Sequence, residues 1–163
     1  MLIKNKIQQG VTLIEAMIAL LVISVGLLGI ASLQITAMSQ NTSALNHNKA
    51  VWIAYTISDR IRANLPAFAA YDGIDTTGTY LQDCEGTECN NAQMVIADAA
   101  DWQTMMTALP GGQGIIGSNA DGLLISVMWD DDGTQTDPGC DPTDTNDLTC
   151  YTLAVAQPLA VGP

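Results

Sequence analysis

Between Ala16 and Leu33 the chain reads AMIALLVISVGLLGIASL, eighteen residues without a single charge. A run of that length and composition is long enough to cross the hydrocarbon of a bilayer as a helix. One acid, Glu15, stands immediately before it, and the next charge along the chain is Lys49. A carboxylate at the centre of a bilayer costs roughly 2.5 to 3.5 kcal/mol, less towards the interface, so such a residue usually has a partner or a task. Lys4 and Lys6 precede the run, and the excess of positive charge on that side keeps the leader in the cytoplasm and sends the remainder outward.

The order of these features is not that of a secretory signal, in which a basic region, an apolar core and a small-residue cut site follow one another. Here the polar leader MLIKNKIQQG ends in glycine before the apolar core begins, and no A-x-A site stands just beyond it. The junction Gly10, Val11, Thr12, Leu13, Ile14, Glu15, running into an unbroken apolar helix, closely resembles the class III signal of type IV pilins and their relatives. The resemblance implies that a prepilin peptidase cuts after Gly10 and methylates the new amino terminus at Val11. It also implies that Glu15 meets the terminal amine of a neighbouring subunit during assembly, and that the apolar helix is kept, first as an anchor and then as the packed centre of a filament. The partners so implied are other minor and major pilins, the peptidase and the inner-membrane assembly platform. The family usually carries phenylalanine after the glycine; Val11 in its place points to a minor subunit rather than the bulk one.

Charge separates the two ends of the chain. All five basic residues lie before position 63, whereas 15 of the 17 acids lie after it. A surface of that sign repels phosphate backbones, which excludes nucleic acid as a direct ligand. The four cysteines, Cys84, Cys89, Cys140 and Cys150, all fall in the acidic part, and an even count beyond an export-type N-terminus reads as disulfides of an oxidising compartment. Three pairings are open in principle. The local pairs, Cys84 with Cys89 and Cys140 with Cys150, are preferred because each closes a short loop rich in Gly, Thr and Asp. A zinc site fits less well, since the C-x4-C spacing has no matching second half.

Past Leu33 no proline occurs before Pro66, so the helix is expected to continue through the amphipathic segment 34–65. Ala50, Ile53, Ala54, Ile57, Ile61 and Leu65 recur at helical spacing on one face, with Asn46, Asn48 and Lys49 on a polar flank. Gly26 and Gly29 each weaken the helix by about 0.8 to 1.0 kcal/mol against alanine, in a GLLG spacing that is not the GxxxG pairing motif. Residues 66–90 are rich in turn formers and read as an irregular loop stapled by Cys84 and Cys89. Asn90 with Gln93 forms a capping box for a helix whose stripe is Val95, Ala99, Trp102, Met106 and Leu109, stopped by Pro110 and Gly111. Strands are expected at Gly122–Trp129 and Cys150–Gln157, with a short edge strand at Ile115 and Ile116. The sequence TALPGGQG followed by a strand ending VMWDDDG also resembles the pilus modification protein, or PilV-like, branch of minor pilins.

The acidic loop between the last two strands holds Asp130, Asp131, Asp132, Asp137, Asp141, Asp144 and Asp147. Dense aspartates supply the oxygens calcium takes, yet the D-x-[DN]-x-[DN]-G-x5-E pattern is absent and a solvated loop is the simpler reading. The single histidine, His47, has no nucleophile near it in sequence, and no G-x-S-x-G, P-loop or HExxH motif occurs. No catalytic residue, metal ligand or cofactor is assigned.

The expected architecture is therefore an α+β type IV pilin-like fold: leader 1–10, membrane and assembly helix 11–33, amphipathic continuation 34–65, and an acidic periplasmic head 66–163 with a small antiparallel sheet. The expected function is that of a minor subunit of a type IV pilus, held by a single pass in the inner membrane before it joins the pilus. A minor pseudopilin of type II secretion carries the same leader, and a membrane-anchored periplasmic binding module, with calcium in the acidic loop, is the alternative from another class.

Overall fold

The computed structural model describes residues 12–86, 88–131, 133, 139–140 and 147–157. Among the described residues six elements follow one another: helix α1 (Leu13–Ala63), a 3-10 segment (Leu65–Tyr71), helix α2 (Asn91–Met106), and strands β1 (Gln113–Asn119), β2 (Gly122–Trp129) and β3 (Thr149–Ala156). The chain divides into two compact units, Met1–Thr42 and Ser43–Pro163.

In the first unit α1 starts where the Thr12 carbonyl accepts from the amides of Glu15 and Ala16. Every side chain from Thr12 to Thr42 is exposed, Leu13, Ile14, Leu21 and Leu28 among them. Several of its hydroxyls bond to the helix's own carbonyls. Ser24 Oγ donates to the Leu20 carbonyl at 2.7 Å and Thr36 Oγ1 to that of Ser32 at 3.2 Å. Such i to i−4 bonds satisfy a polar group that hydrocarbon would leave without a partner.

In the second unit the α1 stripe behaves as its spacing predicts over most of its length. Ala50, Ile53, Ala54, Ile57 and Ile61 are fully buried. Burying each of the three isoleucines contributes about 1.5 to 3 kcal/mol. Leu65 departs from the expectation: α1 ends at Ala63, two residues short of the predicted limit, and Leu65 is largely exposed. Pro66 disfavours helix in the residue before it, and the chain tightens there into the 3-10 segment. That turn brings Phe68 and Tyr71 into the core, followed by Ile74. The segment expected to be an irregular loop thus supplies three core side chains. Leu45, Trp52 and Tyr55 lie on the opposite side of α1 and are exposed, Trp52 to 61%.

Helix α2 starts as expected. The Gln93 amide donates to Asn90 Oδ1 at 2.9 Å and the Asn90 amide to Gln93 Oε1 at 3.0 Å, a reciprocal capping box. Its stripe of Val95, Ala99, Trp102 and Met106 is buried. The three strands form an antiparallel sheet in the order β1-β2-β3, with Ile115 opposite Ser126 and Val127 opposite Tyr151. β1 is longer than the two-residue strand expected, and β3 starts one residue earlier than expected. Alternation along β2 sends Leu123, Ile125, Val127 and Trp129 into the core. Gly114 lets β1 pass under α2, because a Cβ there would stand 2.5 Å from the Trp102 ring. Gly122, at φ +150°, opens β2 where a Cβ would meet the Val155 carbonyl at 2.2 Å.

One core position carries an energetic cost. Ser58 is fully buried, and its Oγ has no hydrogen-bond partner among the described residues. An unsatisfied buried hydroxyl costs about 1 to 3 kcal/mol. Ser58→Ala is therefore expected to stabilise the protein by about 1 kcal/mol, checked by the denaturation midpoint; a lower midpoint refutes it.

Candidate functional site

Two places in the chain carry charge in unusual surroundings. The first is Glu15, in the first turn of α1. An acid there is favoured by the positive end of the helix dipole. Beyond it the exposed surface is apolar through Val22, Val25, Ile30 and Leu33, and the first base that follows Glu15 on this helix is Lys49. Among the described residues α1 is the one helix long and apolar enough to cross a membrane. Gly10 and Val11, expected to flank the cleavage point, lie outside the described residues, as do Lys4 and Lys6.

The second is a buried clamp in the head. Arg60, near the end of α1, donates through Nη1 to Asp98 Oδ1 at 2.9 Å and to Asp101 Oδ2 at 2.7 Å. Tyr71 donates its hydroxyl to Asp98 Oδ2 at 2.5 Å. Asn64 donates to the Asn91 carbonyl at 2.9 Å and more distantly to the Tyr71 hydroxyl. Both oxygens of Asp98 are thus committed, and one buried carboxylate ties α1, the 3-10 segment and α2 together. The sequence held a signal for it. Asp98 occupies the apolar stripe of α2, three residues after Val95 and four before Trp102, where an acid is tolerated only if paired.

Burial pushes the Tyr71 phenol well above its ordinary value, and the hydrogen bond to Asp98 adds to it. Burial works against the charge of Arg60, but its bonds to Asp98 and Asp101 outweigh that and raise its pKa. For Tyr71 the consequence for stability has a definite sign. Below the ordinary tyrosine value of about 10 both folded and unfolded chains hold the proton; above it the unfolded chain ionises while the folded one resists. Stability is expected to decline as pH rises past about 10. Tyr71→Phe should flatten that decline in thermal unfolding of the detergent-solubilised chain, and an unchanged slope would contradict the assignment.

The cysteines divide. Cys84 and Cys89 are bonded, as expected, closing the loop just before the Asn90 cap. Cys140 and Cys150 are unbonded thiols. They are nevertheless neighbours: burial, and then the hydrogen bond to Cys150, push the Cys140 thiol up to about 12. Of the acidic loop, Asp132, Asp137, Asp141 and Asp144 lie outside the described residues. Asp131 Oδ1 accepts from Asn46 Nδ2 and from Trp129 Nε1, both at 3.2 Å. It fastens the end of β2 to α1, and Asn46, expected on the polar flank, is buried by that contact. Among the described residues no group of three metal-ligating side chains comes together. His47 has a packing role: its ring stands edge-on to Trp129 and to Tyr151, with centroids 6.1 and 5.9 Å away.

Two family models match this chain. The prokaryotic N-terminal methylation motif covers residues 5–31, which include Gly10, Val11 and Glu15. The model of the type IV pilin Tt1218 covers residues 32–100, from the apolar helix through the Arg60, Tyr71 and Asp98 clamp. The chain belongs to the type IV pilin family. Neither a curated protein nor a solved structure matches it. A pilin is a structural subunit that assembles with other pilus components, and the apolar helix with its methylation motif makes this one membrane-anchored.

Proposed function

We propose that this pilin is a minor subunit of a type IV pilus, cut after Gly10, methylated at Val11 and recruited into the filament through Glu15. The observation that carries the reading is the placement of Glu15: an acid with no basic residue after it on α1 until Lys49, at the head of an exposed apolar segment, inside the methylation motif. The same spacing that leaves it without a nearby base among the described residues suits it to the terminal ammonium of a second chain. Val11 in the first mature position favours the minor role, and the TALPGGQG and VMWDDDG segments favour the modification-protein branch. On this reading residues 1–10 are the leader, 11–33 the single inner-membrane pass and later the assembly segment, 34–65 the helix continuing into the head, and 66–163 the periplasmic part.

In the same reading Cys140 and Cys150, already side by side, close into the second bridge by exchange with an exported disulfide oxidant, which takes up their two protons and two electrons and leaves as a dithiol. Intact mass spectrometry of the protein purified without reductant tests both claims. The expected mass is that of residues 11–163 plus one methyl group, less the four hydrogens of two bridges. A chain still beginning with Met1 would overturn the processing claim, and a mass two hydrogens heavier the bridge.

A further inference from the structure

The two edges of the head sheet are treated differently. Along β1 the backbone of residues 73–76 closes the edge. The Gly73 amide donates to the Ile116 carbonyl at 2.8 Å, the Ile116 amide to that of Ile74 at 2.8 Å, and the Thr76 amide to that of Gly114 at 2.9 Å. β3 is the other edge. The Gln157 amide donates to the Asp121 carbonyl at 2.9 Å, and these residues continue the register in which Gly122 faces Ala156. In an antiparallel ladder alternate residues exchange both bonds, so Val155, Leu153 and Tyr151 direct their main-chain groups to β2. Thr152, Ala154 and Ala156 direct theirs away from the sheet. No main-chain group among the described residues bonds them, and all three residues are exposed.

Natural sheets guard such an edge with lysine, proline, a bulge or a covering segment. Thr152, Ala154 and Ala156 are small and uncharged, and the register with β2 is unbroken from Thr149 to Ala156. Among the described residues this edge is open to strand addition, in which main-chain bonds supply affinity. Charge selects the occupant. From Ser43 onward the chain has sixteen acids and three bases. The bases all lie on α1, where Lys49 donates to the Ala108 carbonyl, Arg60 is held by Asp98 and Asp101, and Arg62 lies beside Asp59. The end of β2 runs into Asp130 and Asp131, and Asp147 precedes β3. A second copy of so acidic a head is repelled, whereas a strand bearing Lys or Arg is attracted.

We propose that β3 is a docking edge for an extended, lysine- or arginine-bearing segment of another protein, which adds as a fourth strand beside Thr152, Ala154 and Ala156. This contact belongs to the head and does not depend on Glu15, so it stands or falls separately from the helix-mediated assembly above.

The probe is a synthetic peptide alternating Lys and Val, with an alternating Glu and Val peptide as its charge-reversed control, added to the detergent-solubilised full chain. The Lys peptide should bind, and should slow amide hydrogen exchange in the fragment covering residues 149–157. Ala154→Pro removes only an outward-facing amide, a substitution edge strands tolerate. It should weaken binding by about tenfold or more while the melting temperature stays put, and Thr152→Lys should weaken it as well. Absence of binding, equal binding of both peptides, or binding without protection of residues 149–157 would overturn the proposal. So would protection that rises with protein concentration alone, which would make a second copy the occupant.

Discussion

Replacing Glu15 by alanine is expected to leave the pilin in the membrane and to cut its recovery in sheared pili by about tenfold or more. The two halves of that expectation come from opposite sides of one balance. In the bilayer the carboxylate is a cost, so removing it does not impair insertion. In the assembled state the same carboxylate meets an ammonium in surroundings of low dielectric, where losing one partner of an ion pair exceeds the 1.4 kcal/mol that makes a factor of ten. Glu15→Asp, which keeps the charge on a shorter stem, should recover part of the loss, and Glu15→Gln, which keeps the shape, should not. Immunoblots of the membrane and sheared fractions from cells making each variant report the partition. Equal recovery of wild type and Glu15→Ala would remove Glu15 from the assembly mechanism. Loss of twitching rather than of exoprotein secretion would place the subunit in a pilus and not in a type II system.

The second large effect is expected in the head. Asp98→Ala should destabilise it by about 3 kcal/mol, because the substitution strands the buried Tyr71 hydroxyl and leaves Arg60 with Asp101 alone. For a domain of this size that corresponds to a fall in melting temperature on the order of 10 to 20 °C. Asp101 provides the internal control. It makes the shorter bond to Arg60, yet its side chain is 59% exposed against 6% for Asp98. Exposed pairs contribute about 0 to 1 kcal/mol, so Asp101→Ala should cost little despite the better distance. Similar losses for the two variants would mean that charge pairing with Arg60, rather than burial of Asp98, holds the three elements together.

Much of this fold was legible because its signals are periodic or local. The uncharged run from Ala16, the α1 stripe from Ala50 to Ile61, the Asn90 and Gln93 box and the apolar run Gly122–Trp129 each depend on neighbours within a few residues. What escaped depends on residues distant in sequence. Phe68, Tyr71 and Ile74 sit among turn formers, and only the packing of α2 and β1 upon them makes them core. Ser58 lies on the inward side of α1 although serine is mostly a surface residue. His47 had no chemical companion within the sequence around it, and the two rings it touches are 82 and 104 residues further on. At the candidate site the acid at position 15 was visible at once, since an acid bordering an apolar run is conspicuous. The Arg60 and Asp98 clamp was not, because an acid inside an amphipathic stripe becomes meaningful only when its partner is known.

The three indoles of the head fall into two optical populations. Trp102 and Trp129 are each 1% exposed, whereas Trp52 projects from α1 into solvent. Acrylamide, a neutral quencher, reaches Trp52 while Trp102 and Trp129 stay shielded in the folded state. The molecule therefore carries its own fluorescent gauge: dimming confined to the red edge of the emission reports the outer flank of α1, and dimming of the whole band reports that the interior has opened.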